Sequence, residues 1–302
     1  MLYSLSALPH IIIMSAEFIT RITVNGFLVI MNCNELMKSR KLTSIQLLML
    51  CMGMSRLGLQ MVLVVQSVSP VFFPVFYRTN IHGKAMLFLW MFLNSVSLWF
   101  ATCLSVFYCL KISGFTQSYF LWLKFRITKL MPWLLLGSLV TSVSIAALCI
   151  ELDYPKNVDD DVLRNATLKK TKVTIKQINE VLLVNLALIV PLAIFVKCTF
   201  MLFISVFKHT HRMQNRAHGF RNASTEAHIN ALKMVITFFC FFISYFAAFI
   251  TNMTFSIPYG SQWFFVLKDI MAAYPSGHSL IIVLSNSKFQ QPFRRILCLR
   301  KN

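Results

Sequence analysis

A tetrapeptide near the C-terminus, Pro275-Ser276-Gly277-His278, has the letters of a catalytic segment found in membrane lipid phosphatases. In those enzymes the histidine assists phosphoryl transfer, which also requires an Arg-Pro segment to hold phosphate and a second histidine after a Ser-Arg pair. The chain has no Arg-Pro dipeptide, and no suitably spaced histidine follows either of its Ser-Arg pairs. A short motif without its context is weak evidence for an activity. We therefore expect that the chain is not an enzyme.

Charged and amide side chains interrupt the first two apolar windows of the sequence. Glu17, Arg21 and Asn25 are four residues apart and would share one face of a helix, with Glu17 placed to pair with Arg21. Arg56 lies midway through the second window. Polar groups in a bilayer are costly and usually face other helices or a cavity. We therefore predict an internal polar network that fixes helix packing rather than a catalytic group.

Two further features are compatible with ligand binding or with ordinary structure. Trp90 and Asn94 are one helical turn apart, and an aromatic wall with one amide suits an apolar ligand that has few polar atoms. The alternative is plain core packing. Pro191 and Pro275 predict helix bends that are either static or hinges. The eight cysteines show no CxxC or Cys/His spacing, so we expect no metal site, no disulfide framework and no cofactor.

Composition identifies the elements that must position these residues. The 302 residues are 57% hydrophobic and 13% charged, with a mean hydropathy of +0.67, which favours lipid as the solvent for much of the surface. Seven apolar windows are long enough to span a bilayer, and none shows strand-like alternation, so we predict an all-α bundle of seven transmembrane helices in a single domain. The windows are Leu8–Met31, Ser44–Val68, Ala85–Leu110, Leu130–Ile150, Val181–Phe207, Met234–Ile257 and Phe264–Leu284.

The distribution of basic residues predicts the orientation of the bundle. The formal charge is +19, and most of the lysines and arginines follow the first, third, fifth and seventh windows. The positive-inside rule therefore places the N-terminus outside and the C-terminus in the cytosol, and it explains the charge without a nucleic-acid partner. Of the three glycosylation sequons, at Asn165, Asn222 and Asn252, only Asn165 then lies in an outer loop clear of the membrane.

Short motifs recur in a fixed order along nearly the whole chain. They are Asn25-Gly26-Phe27; Met54-Ser55-Arg56-Leu57 with Gln60; Leu98-Trp99-Phe100-Ala101-Thr102; Phe107-Tyr108-Cys109-Leu110-Lys111; Phe120-Leu121-Trp122-Leu123-Lys124; Pro132-Trp133-Leu134; Glu226-Ala227-His228-Ile229-Asn230; and Pro275-Ser276-Gly277-His278-Ser279. Together these segments resemble the vertebrate bitter taste receptors, the type 2 taste receptor family of G-protein-coupled receptors.

The resemblance implies a plasma-membrane receptor that detects small bitter compounds and activates a gustducin-type G protein. It also implies roles for individual positions. The implied ligand-pocket positions are Trp90, Asn94 and Lys268, with Tyr245 as a residue that switches on activation. The implied packing and activation network comprises Asn25, Arg56, Tyr108, Lys111, Pro191 and His278, with Tyr108 and Lys111 next to the G protein and Asn165 as the glycosylation site.

Two positions depart from the family pattern by placing a charge within a span, and two other functional classes remain open. Arg21 and Lys197 stand where the family usually has a small and an apolar residue, and a midspan arginine costs about 2.5–3.5 kcal/mol on insertion scales. One alternative is a vomeronasal type 1-like pheromone receptor, which shares the architecture. The other is a channel or transporter in which Arg21, Arg56 and Lys197 would line an anion path.

Overall fold

The computed structural model describes residues 2–73, 75, 80–112, 117–153, 189–205, 207–208, 223–255, 262–285 and 287–296. Within these ranges the chain is helical and contains no strand. The helices are α1 Leu2–Ser39, α2 Ser44–Phe72, α3 Asn80–Ile112, α4 Ser118–Asp153, α5 Ile189–Ser205, α6 Ala223–Thr254, α7 Gln262–Ser285 and α8 Ser287–Ile296.

The described part of each predicted span falls on one of the helices α1 to α7, apart from a few residues at the ends, and the prediction of an all-helical chain holds for the described residues. Four helices contain segments long and apolar enough to cross a membrane: Ile12–Ser39, Ser44–Val65, Ile81–Ile112 and Ser118–Glu151. Several helices extend beyond the predicted windows. α4 begins at Ser118, well before the window at Leu130, because the intervening segment is polar enough to end an apolar window without containing a helix-breaking residue.

The helices pack side by side, α1 against α2, α2 against α3 and α3 against α4, while α7 contacts both α1 and α6. Buried hydroxyl pairs join α3 to two neighbouring helices: Ser95 and Ser142 connect it to α4 over 3.0 Å, and Ser105 and Thr199 connect it to α5 over 3.0 Å. Small hydrogen-bonding residues at helix contacts are typical of membrane bundles, where apolar surfaces gain little from leaving lipid.

The outward-facing side chains are large and apolar. Ile19 is 64% exposed, Trp133 71% and Phe200 61%, on α1, α4 and α5 respectively. A soluble protein rarely exposes so many large apolar groups, whereas lipid tails solvate them well. Lys197 of α5 is also exposed, so its charge lies at the surface of the bundle rather than in the interior. A long lysine stem at the surface allows the ammonium group to reach toward water.

The short helix α8 turns back onto the end of α1. Phe289 and Phe293 are each 2% exposed, and their rings contact Phe27 of α1 at centroid distances of 6.3 and 5.2 Å. Most other residues of this helix are polar, including the exposed Arg295. The division into an apolar and a basic face is typical of a helix that lies along a membrane surface.

Candidate ligand pocket and polar core

Trp90 and Asn94 lie on the same side of α3, as their spacing predicts, and both are directed toward α6. The indole of Trp90 stacks on Phe249 with the ring centroids 6.2 Å apart and an interplanar angle of 19°. Trp90 remains partly exposed, whereas Asn94 is buried. The two residues therefore present one accessible aromatic surface with one amide beneath it.

A hydrogen bond joins α3 to α6 directly below this surface. The Tyr245 hydroxyl donates to Oδ1 of Asn94 over 2.7 Å, with both groups buried. The Tyr245 ring also lies 5.9 Å from Phe249 and 5.0 Å from Tyr274 of α7. We call Trp90, Asn94, Tyr245, Phe249 and Tyr274 the aromatic site, because the Asn94–Tyr245 bond is set among aromatic rings from three helices.

Aromatic contacts continue from this site toward α5. Phe242, which precedes Tyr245 by three residues on α6, stacks on Phe195 with centroids 3.8 Å apart and packs edge-on against Tyr274. Phe195 and Phe242 are both fully buried. Phe242 of α6 therefore brings its ring into direct contact with a ring of α5 and a ring of α7.

A different chemistry occupies the space between α1, α2 and α7. Arg56 of α2 is fully buried and donates from Nη1 to Oγ of Ser279 over 2.5 Å and to the carbonyl oxygen of Pro275 over 3.5 Å. Its Nη2 lies 2.5 Å from Nδ1 of His278. An arginine only donates, so this histidine nitrogen accepts and carries no proton. Ser97 of α3 accepts from Arg56 Nε over 3.5 Å.

Asn25 connects this arginine to α1. Its Oδ1 accepts from the hydroxyl of Ser279 over 2.7 Å, and its Nδ2 donates to the carbonyl oxygen of Arg21 over 2.8 Å. The two polar residues that the sequence places in the first and second windows, Asn25 and Arg56, thus meet through one serine of α7. This is the internal polar network that their cost in lipid predicts.

The environment of Arg21 differs from the sequence prediction of a pair with Glu17. Arg21 is buried, and it donates from Nη1 to Oε1 of Gln60 over 2.6 Å and from Nε to Oγ of Ser276 over 3.4 Å. Oε2 of Glu17 is buried without a hydrogen-bond partner, although the two charges are close enough to attract each other. The described hydrogen bonds of Arg21 go to neutral groups on neighbouring helices. We call Arg21, Asn25, Arg56, Gln60, His278 and Ser279 the polar core.

No pattern in the sequence predicts a histidine–aspartate contact near the N-terminal ends of α1 and α7. Nδ1 of His10 lies 2.6 Å from Oδ2 of Asp269, each side chain is 15% exposed, and the His10 ring stacks on Phe265. The predicted pocket residue Lys268 belongs to the same turn of α7, but its side chain lies outside the described set. No local signal connects residues so far apart in the sequence, so this pair was not predictable.

The remaining predicted positions are separate from both sites. Tyr108 is partly buried and Lys111 is exposed in the last turn of α3. Pro191 is buried in the first turn of the described part of α5, where its carbonyl oxygen accepts from Thr102 over 3.2 Å. Asn165 lies outside the described residues. The sequence could have indicated that Gln60 and Ser279 belong to the polar core. Gln60 is one helical turn after Arg56, and Ser279 directly follows His278.

Comparisons with known proteins show the family of the chain. The family model described as Taste receptor protein (TAS2R) matches residues 1–301. Taste receptor type 2 member 2 of Homo sapiens is 75% identical over 301 residues, which cover 100% of this chain and 99% of that protein. Taste receptor type 2 member 7 of Macaca mulatta is 35% identical over 290 residues, covering 93% of this chain and 90% of that protein. Taste receptor type 2 member 9 of Homo sapiens is 33% identical over 301 residues, covering 95% and 93%.

The membrane-length helices, the apolar outer surface and the family match define a multi-pass membrane receptor. The chain belongs to the type 2 taste receptor family, whose members are bitter taste receptors coupled to G proteins rather than enzymes. The resemblance that the sequence motifs indicate is therefore confirmed. The match does not favour the pheromone-receptor or channel alternatives.

Proposed function

We propose that the chain is a seven-span receptor of the plasma membrane that binds small bitter compounds in the aromatic site and activates a gustducin-type G protein. The observation that carries the pocket proposal is the buried Asn94–Tyr245 hydrogen bond beneath the partly exposed Trp90. A pocket with a flat aromatic wall and a single amide would select ligands by shape and by one hydrogen bond, which suits recognition of diverse small molecules.

Trp90 and Asn94 would divide the recognition between them. The indole of Trp90 stacks on the Phe249 ring and offers an apolar surface on which a flat ligand would also stack. Asn94 has one amide oxygen, which already accepts from Tyr245, and two amide hydrogens that a ligand acceptor could use. Lys268 would lie at the rim and disfavour cationic ligands by repulsion.

Tyr245 would act as the switch. A ligand that donates a hydrogen bond to the Asn94 amide oxygen competes with the tyrosine hydroxyl for that oxygen and releases the one described hydrogen bond between α3 and α6 at this level. Because a ligand shifts a conformational equilibrium only by its differential affinity for the two states, breaking this bond gives an agonist such a difference. Replacing Tyr245 should therefore change maximal signal more than ligand affinity.

The polar core would hold the rest of the bundle while α6 moves. Asn25, Arg56 and His278 join three helices through Ser279 and Pro275. Pro191 and Pro275 would give α5 and α7 places to bend. Tyr108 and Lys111, at the end of α3, would meet the G protein on the cytosolic side.

The functional test uses cells that express the chain with a gustducin-type chimera and measures calcium responses to a panel of bitter compounds. Trp90→Ala should lower agonist potency, and Asn94→Ala should cost most for agonists with a hydrogen-bonding group. Trp133→Ala is the matched control, because that tryptophan is 71% exposed on the outside of α4. Unchanged dose-response curves for both pocket variants across unrelated agonists would reject the pocket. A current without G protein would favour a channel.

The orientation has a separate test. With the N-terminus outside, the only glycan should be at Asn165, and Asn165→Gln should abolish the whole glycan-dependent gel shift. An epitope at the C-terminus should stain only after permeabilisation. A residual shift, or staining of intact cells, would contradict the proposed topology.

A further inference from the structure

An unusually close contact joins α6 and α7 at Gly277. A Cβ atom at this position would lie 2.8 Å from Cζ, 2.9 Å from Cε2 and 3.1 Å from Cε1 of Phe241. The phenyl ring of Phe241 therefore fills the volume that any side chain at position 277 would need. By contrast, a Cβ atom at Gly137 of α4 would have no neighbour within 4 Å. The glycine of α7 is thus required by the approach of a rigid ring to the helix backbone.

The two residues lie between the aromatic site and the polar core. Phe241 is one helical turn from Tyr245 on the same face of α6. Gly277 stands between Pro275, whose carbonyl accepts from Arg56, and His278, whose ring contacts Arg56. The Tyr274 ring adjoins both sides, because it lies 5.0 Å from Tyr245 and 5.7 Å from His278.

We propose that Phe241 is a positioning residue that transmits movement of α6 to the Pro275–Ser279 segment of α7 through its contact with Gly277. The inference deepens the proposed function and rests on it. Packed interiors are poorly compressible, so a ring pressed against backbone passes on a displacement that a flexible side chain would absorb by changing rotamer. Small shifts at a ligand site are amplified when they reach an element with two discrete arrangements.

The contact defines a reciprocal set of variants. Gly277→Ala overfills the space beside Phe241, and Phe241→Leu empties it. The double variant Phe241→Leu/Gly277→Ala places a smaller side chain against an added methyl group and restores the contact. Gly137→Ala is the matched control, because it adds the same methyl group to a helix where space is open. Each receptor is assayed as the full chain in nanodiscs, for its melting temperature and for agonist-independent nucleotide exchange on a gustducin-type chimera.

Each single variant should lower nucleotide exchange per folded receptor about fivefold, within the range of coupling changes measured along packed networks, and the double variant should recover most of the loss. Gly137→Ala should behave like the unaltered chain. Unchanged exchange in Gly277→Ala, or a double variant that regains its melting temperature but not its exchange, would overturn the proposal. If the unaltered chain catalysed no nucleotide exchange, that result would count against the proposed function instead. In that case the melting temperatures would still test the contact, and a double variant that did not regain the melting temperature would reject it.

Discussion

The aromatic site and the polar core are built from opposite kinds of interaction, although α7 takes part in both. The aromatic site contains one described hydrogen bond, from Tyr245 to Asn94, in a surround of rings. In the polar core, the side chain of Arg56 by itself makes hydrogen bonds to both α3 and α7, and Asn25 extends the network to α1. Breaking one bond in the first region leaves its rings packed, whereas removing one group in the second leaves several polar atoms without partners.

This difference suggests a division of labour. An interhelical hydrogen bond in a membrane bundle contributes about 0.6 kcal/mol on average, which a small ligand can easily supply. Breaking the polar core leaves several buried polar groups without partners at about 1–3 kcal/mol each, and the sum is too large for routine switching. The aromatic site is therefore suited to change state on ligand binding, and the polar core is suited to keep α1, α2 and α7 in register.

Arg56→Ala should have the largest effect of any substitution in either region. It strands acceptors on Pro275, His278 and Ser279 inside the bundle, and each buried acceptor left without a donor costs about 1–3 kcal/mol. We expect the surface amount, measured with an extracellular epitope tag, to fall to a small fraction of that of the unaltered chain. The surface amount of Arg56→Lys should lie between those of Arg56→Ala and the unaltered chain. Lysine keeps the charge but lacks the planar guanidinium group that reaches several acceptors. Normal surface amounts of Arg56→Ala would show that the polar core does not hold the bundle.

Gln60→Leu should have the next largest effect, because it removes the 2.6 Å acceptor of a buried cation. A hydrogen bond to a charged group contributes about 1.5–3 kcal/mol, so the melting temperature should fall clearly. Arg21→Met should cost less than Gln60→Leu, since it removes the buried charge itself.

The double variant Gln60→Leu/Arg21→Met should then be more stable than Gln60→Leu alone. If Gln60→Leu were as stable as the unaltered chain, Gln60 would not be the acceptor that stabilises Arg21. Glu17→Gln tests the attraction between Glu17 and Arg21 within α1. If it lowered the melting temperature more than Gln60→Leu does, Glu17 would be the main partner of Arg21.

The sequence predicts much of the fold and part of each site, for physical reasons that differ between residues. Seven apolar windows predict the helices because lipid requires each backbone group to bond within its own segment. The burial of Asn25 and Arg56 follows from the cost of polar groups in lipid. Trp90 and Asn94 share a face because of the helical period alone.

The partners across helices were not predictable from the sequence. Arg21 bonds Gln60 and Ser276 rather than Glu17, because helical spacing gives information only about neighbours within a turn or two of one helix. His10 and Asp269 meet through the packing of α1 on α7, and no pattern within either helix indicates that contact. The closeness of Phe241 to Gly277 likewise depends on how two helices are placed.

Tyr245→Phe should have the smallest effect on stability and a measurable effect on signal. The change removes the hydroxyl and its 2.7 Å bond to Asn94 but keeps the ring among Phe249 and Tyr274. If the bond contributes about 0.6 kcal/mol to the resting state alone, agonist-independent signal should rise about threefold, and the melting temperature should hardly change.

Tyr119→Phe removes the same hydroxyl from a tyrosine that is 68% exposed on α4, so it should alter neither quantity. Because Tyr245 and Asn94 share one bond, Tyr245→Phe/Asn94→Leu should raise the signal no further than either single variant does, as expected for partners in one interaction. Additive increases would mean that the two residues act through different contacts, and a melting temperature that falls as far as in Gln60→Leu would remove the contrast between the two regions.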